Sequence, residues 1–435
     1  MKKLLLLCLC IFCLSRAQEQ PAPAVPPAPP AVDAAKPAEA PQPAEAAKPA
    51  EQKPAEAEKP AEPPKPEPKK LPEDILQTPP VVYAVGKDYQ IMALVNQDLP
   101  VVMWVEVNGK QYYDASNGVL RSARSSHRMT VPQAELNAAK EYTLCCHVLT
   151  KRKAYFSQTE PLQKKTYKFR PLEKTENIKI FMIADAHNRV KCPIAIAQYY
   201  EKDLDLLILN GDILNVSEKY SDMINLFKVA GGITNGEIPV VYARGNHEPR
   251  GVMAENLEEF APVRNGHSYF TFRVGAIWGI VLDCGEDKPD GHDAYGHTIA
   301  CHAFRLAETE YLKSVIADAA NEYNAPDVKY RLVVCHIPFI RGKFEGDIYR
   351  EWCKLLRENV KPNLMLSGHY HRLHVVRQGD KWDENGAPCT VVIGSRTGKG
   401  DDFTGTAVEL TEKNAAIRFI NYPQKVEGED MIEFK

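Results

Sequence analysis

The feature that most constrains this chain is a series of five short apolar runs, each ending on a carboxylate, an amide or an imidazole. The most telling is Pro239-Val240-Val241-Tyr242-Ala243, which passes through Arg244 into Gly245-Asn246-His247-Glu248. Two runs precede it: residues 178–184 lead into Asp185-Ala186-His187, and residues 204–210 lead into Gly211-Asp212. Two follow it: residues 330–335 deliver His336, and residues 363–368 deliver His369-Tyr370-His371. An unbroken, β-branched run of this length is the pattern of a strand buried on both faces of a parallel sheet. Ligands in open α/β sheets gather beyond the carboxyl ends of the strands. One such ending would mean a turn capping a helix; five in series describe a built site.

From about residue 171 the pattern alternates between strands and helices. Residues 193–202, 217–229, 304–319 and 348–358 read as helices, with a hairpin-like strand pair at 268–274 and 276–284 between them. After His371 only strand-like runs remain, at 373–377, 390–395, 406–410 and 416–420. Residues 171–435 are ample for an α/β domain with a two-layered sheet covered by helices.

The preceding segments differ in kind. Residues 1–17 hold Lys2 and Lys3, an apolar stretch, and small residues at Ser15 and Ala17, which is a secretory signal peptide. Residues 18–75 are a Pro/Ala/Glu/Lys-rich spacer without the apolar bulk for a core, expected to be disordered and partly polyproline. In that conformation it would reach on the order of 150 Å, either as a tether holding the domains near a membrane or cell wall or as a solvated tail. Residues 76–170 read as a small all-β sandwich: Asn108-Gly109 is a hairpin turn, and Tyr142, Leu144, Cys146 and Val148 alternate onto one face. Tyr142, opening a late strand, is similar to the tyrosine corner of immunoglobulin-like sandwiches.

A net charge of −3 gives no basic nucleic-acid surface. Eight cysteines lie beyond the signal segment, scattered rather than framed, and are read mostly as small buried hydrophobes. Asp185, His187, Asp212, Asn246, His336, His369 and His371 make seven oxygen and nitrogen donors, too many for one tetrahedral zinc. They suit two divalent ions (Mn, Fe or Zn) sharing a carboxylate.

In this order the motifs Asp-x-His, Gly-Asp, Gly-Asn-His-Glu, a lone strand-end His and Gly-His-x-His resemble the calcineurin-like metallophosphoesterase superfamily over about residues 175–420. The resemblance implies a four-layered α/β/β/α sandwich, here preceded by an immunoglobulin- or fibronectin-like sandwich as in purple acid phosphatases. It implies a first metal on Asp185, His187 and His371, a second on Asn246, His336 and His369, and Asp212 bridging both. His247 would be the catalytic, non-ligand histidine that contacts the phosphoryl group or protonates the leaving oxygen. The purple enzymes' tyrosine ligand falls at Asn215 here, so a purple iron centre is not expected, and what orients His247 is open.

The expected function is therefore an exported binuclear-metal phosphoesterase. It would hydrolyse phosphate mono- or diesters of small molecules or polymers through a metal-bridging hydroxide. A non-catalytic surface- or wall-binding protein and a metal-dependent nuclease are the alternatives. Arg250 would bind a phosphate oxygen. The polar loop 285–297 would reach the leaving group through Tyr295 and His297, provided its preceding strand runs parallel to the ligand-bearing ones.

Overall fold

The five expected strands are present and lie parallel in two sets, the second of which gains Ile277–Leu282, whose direction the sequence left open. A computed structural model describes residues 69–70, 75–114, 117–342 and 344–434. In the first set Ile178–Ile183, Leu206–Asn210 and Pro239–Ala243 lie parallel, with Ile180 opposite Leu206 and Leu207 opposite Val240. In the second, Ile277–Leu282, Tyr330–Cys335 and Leu364–Ser367 lie parallel, with Ile277 opposite Tyr330 and Leu332 opposite Leu364. Their side chains are almost all buried, which is why these stretches read as continuous apolar runs rather than alternating ones.

One strand belongs to both sets. Val391–Thr397 pairs in parallel with Leu364–Ser367 along its first half, while Arg396 and Thr397 pair antiparallel with Thr404 and Phe403. The strand Phe403–Leu410 then runs antiparallel beside Ile178–Ile183. Gly394 makes this junction possible, since a Cβ there would stand 2.1 Å from Thr406 Oγ1. Helices Lys191–Ala197, Tyr220–Thr234, Cys301–Ala317 and Gly346–Leu355 occur where helices were expected, with ends shifted by a few residues. Strand Lys425–Glu433, largely exposed and polar, was not anticipated.

The segment 76–170 is β apart from one short helix, Gln133–Ala139, and its two sheets are not closed off from the rest of the chain. Val81–Val85, Asp88–Leu94 and Ser126–Pro132 form one sheet edge, and the first of these pairs in parallel with the Pro239–Ala243 strand, Val82 opposite Pro239 and Tyr83 opposite Val240. This sheet thus continues without interruption into the N-terminal segment. The second sheet, with Val101–Val107, Lys110–Tyr113, Glu141–Lys151 and Gln163–Lys168, packs on it in one core that joins Val81, Leu144 and Ile180. The boundary drawn near residue 170 is therefore not a boundary between sheets. The physical reason is visible in Val81-Val82-Tyr83-Ala84-Val85, fully buried on both faces like a central parallel strand.

Two local readings are answered here. Asn108 and Gly109 take φ of 46° and 78° between paired Val107 and Lys110, the left-handed pair a tight hairpin requires. Tyr142 makes no corner of the expected kind: its hydroxyl donates to Gly236 O at 3.0 Å, in the turn before the Pro239–Ala243 strand. All eight cysteines of the described residues are free and buried. The signal segment and nearly all of the spacer lie outside the described residues. Of the spacer's end, Lys69 and Lys70 pair with Gln163 and Lys164, and Ile75 is buried.

Candidate metal centre

All seven donors named above converge at the carboxyl ends of the parallel strands. Five of them, Asp185, His187, Asp212, His369 and His371, have left-handed backbones, with φ between 46° and 71°. Such a conformation costs a non-glycine residue about 1–2 kcal/mol, and its concentration here marks a functional site held in place by its surroundings. Much of that support comes from Glu248, which is fully buried and accepts four backbone N–H groups. Oε1 takes those of Ile213 and Leu214, and Oε2 those of Asp212 and Gly245, at 2.8–3.2 Å. Burial and the charge of Asp212 push its carboxyl up to about 7, against the pull of those N–H groups. Gly245 is required because a Cβ there would lie 2.2 Å from Asp212 Oδ1.

The donor atoms fall into overlapping groups, and one of them joins His187 and Asp212 with His247. Asp185, His187 and His371 form another, and Asp212, His336 and His369 a third; within each, ligand atoms lie within 4.8 Å of one another. Asp185 is fully buried, accepts from Ser395 Oγ and from the His369 N–H at 3.0–3.1 Å, and faces His371 Nε2 at 3.3 Å. His187 Nε2 and His371 Nε2 face each other at 3.0 Å. His336 donates Nδ1–H to Asn210 O at 2.7 Å, which turns Nε2 toward Asp212 Oδ2 at 3.1 Å and Asp185 Oδ1 at 3.7 Å. Asn246 Oδ1 lies 2.9 Å from His369 Nδ1.

This donor set fits divalent cations. His187 Nδ1 is buried and lacks a hydrogen-bond partner, an expensive arrangement unless a ligand completes it. Burial lowers His187 to about 4, and burial together with the facing His336 lowers His369 to about 4, so both present neutral rings with a free lone pair. Burial opposes charge on Asp212, yet His336 holds its carboxyl well below the usual range.

His247 stands beside this centre, its ring edge-on to His187 at 4.6 Å between centroids. Nδ1 donates to the backbone carbonyl of Asn215 at 2.7 Å, so a main-chain oxygen, not a side chain, orients it. Its Nε2 accepts from Arg250 Nη1 at 2.9 Å and lies 3.8 Å from Asp212 Oδ2.

Arg250 and Tyr295 do come to the site, but onto each other. Arg250 grips the buried Glu286 through Nε and Nη2 at 2.5 and 2.9 Å, and Tyr295 donates to the same carboxylate at 2.6 Å. The guanidinium is thus committed to Glu286 and His247 rather than left open for a phosphate oxygen. His297 is not brought to the cluster: it is exposed, in a left-handed turn, φ 64°, beyond a short helical turn at Asp293–Tyr295. Among the acids of the polar loop, Glu286 and Asp287 were not singled out as site residues, yet Asp287 Oδ2 lies 3.8 Å from His369 Nε2. Their signal was present, since Ile277–Leu282 is a sixth run ending in acids, and its pairing is parallel.

The donors thus stand at the carboxyl ends of both parallel strand sets. Residues 178–373 match the family model for calcineurin-like phosphoesterases, and the chain carries a domain of that family. It is 26% identical over 222 residues to the rat serine/threonine-protein phosphatase CPPED1, covering 47% of this chain and 64% of the relative. The mouse counterpart is 27% identical over 237 residues, covering 51% and 69%. In fold the chain is similar to a purple acid phosphatase from yellow lupin, with TM-score 0.51, 13% identity, and coverage of 82% of this chain and 75% of that one. It is similar also to PhoD, with TM-score 0.50, 11% identity, and coverage of 85% and 90%.

Proposed function

We propose that this chain is an exported phosphoesterase that binds two divalent ions and hydrolyses phosphate esters of small molecules or polymers. The observation that carries the reading is the run of overlapping donor groups, linked through His187 and Asp212. Asp185, His187 and His371 would hold one ion, Asn246, His336 and His369 the other, and Asp212 both. When bound, such ions activate water near neutral pH and withdraw charge from phosphoryl oxygens. The protein's own part is to place and to protonate. Glu248 fixes the turn that carries Asp212, and Ser395 fixes Asp185. His247, held at Nδ1, gives a proton from Nε2 to the leaving oxygen, and for this Arg250 must first give up that nitrogen so that it can take the proton from solvent. Export is supported by the signal-like residues 1–17. Among the described residues no helix is long and apolar enough to cross a membrane.

The test is hydrolysis of p-nitrophenyl phosphate and bis(p-nitrophenyl) phosphate by the purified protein before and after chelation, then with Mn, Zn or Fe restored. The reading expects activity lost on chelation and regained with metal, with the two substrates separating monoester from diester preference. Activity indifferent to chelation would overturn it.

A further inference from the structure

We propose that the open cleft beside the metal centre, formed by Arg341, Tyr370, Arg372, Lys381 and Trp382, binds a second phosphate on the substrate, so that the preferred substrates are bisphosphates. The proposal rests on the phosphoesterase reading above. The cleft holds about 590 Å³ and begins one aromatic ring from the donors. Tyr370 lies between His369 and His371, its ring 5.1 Å from that of His369 and 5.4 Å, edge-on, from that of Trp382.

Trp382 organises the charge. Arg341 stacks on its ring at 4.5 Å and Arg372 lies over it at 5.9 Å, which fixes two guanidinium planes at low conformational cost. Of the acids on the same loop, only Glu384 pairs with either guanidinium, that of Arg341. Asp380 accepts the Arg377 N–H, and Asp383 accepts those of Gly379 and Ala387, leaving Glu384 paired with Arg341 at 3.0 Å. Among the described residues no carboxylate lies within ion-pair distance of Arg372 or Lys381. Two uncompensated cations, one on a strand that starts immediately after His371, face the space a substrate must occupy beyond its scissile phosphoryl group. Arginine forks bind phosphate in two-point fashion, and charge-assisted bonds are the strong ones.

The test compares kcat/KM for glucose 1,6-bisphosphate and glucose 6-phosphate in the metal-loaded full chain and in R372A, K381A and R372K. The wild type should favour the bisphosphate by roughly tenfold or more. R372A and K381A should each lose most of that preference, and R372K should keep part of it. Equal rates on both sugars in the wild type, or an undiminished preference in R372A and K381A, would overturn the proposal while leaving the phosphoesterase reading intact. No hydrolysis of either sugar or of p-nitrophenyl phosphate would overturn both.

Discussion

His247 is where the residue-level account is most exposed to test. Its Nδ1 rests on the main-chain carbonyl of Asn215, so the Asn215 side chain, which is exposed, is not part of the device. Asn215→Ala should therefore leave turnover close to wild type, whereas His247→Ala should lower kcat by roughly 10²-fold or more with metal content unchanged. Loss of metal in the His247 variant would show it to be a ligand. Glu308 supplies a second residue-level prediction, on stability. It is fully buried, accepts the Asp283 N–H at 2.7 Å, and burial raises its carboxyl well above the usual 4.5. The folded chain thus keeps a proton that the unfolded chain releases above pH about 4.5, so this group's contribution to stability is full below that pH and declines as pH rises. Glu308→Gln removes the dependence: its melting temperature relative to wild type should climb between pH 5 and 8, and a constant difference would contradict the assignment. The donors themselves were legible because each ends an apolar run. Glu248 was not, because a sequence shows adjacency to His247 but not the four N–H groups folded around its carboxylate.

Among the elements, the strand Val81–Val85 decides how the chain folds. Its five residues form the same kind of continuous apolar run as Pro239–Ala243, and the two lie side by side. The run announces a strand buried on both faces but does not say which sheet receives it, so the reading placed it in a separate sandwich. Burial of each such side chain is worth about 1.5–3 kcal/mol, and a fragment of residues 171–435 would expose the flank of Pro239–Ala243 as an apolar edge. That fragment should be insoluble or lack a cooperative melt; one melting like the full chain would show the N-terminal strands to be an accessory. The direction of Ile277–Leu282 was likewise out of reach of the sequence, and it is this direction that brings Glu286 and Asp287 to the centre. Strand Lys425–Glu433 escaped notice because its polar, exposed side chains follow no burial pattern.

At the scale of the whole molecule, one paired sheet runs from Val81–Val85 to Lys425–Glu433, the strands within 101–113 and 141–168 form a second sheet, and the chemistry sits where the parallel strands of the first sheet end. Every cysteine in the described residues is buried as a free thiol. A thiol reagent should therefore label almost none of these eight in the native protein and all eight on unfolding; stoichiometric native labelling of them would mean an open structure. The central claim is that one carboxylate joins two metal sites, and metal content against turnover tests it most directly. Equilibrium dialysis with Mn or Zn, read by elemental analysis beside p-nitrophenyl phosphate hydrolysis, should give two ions per wild-type chain. Asp212→Asn should weaken retention of both ions and lower turnover by roughly 10³-fold. Two ions retained with turnover intact in Asp212→Asn, or a single ion in a fully active wild type, would contradict the account.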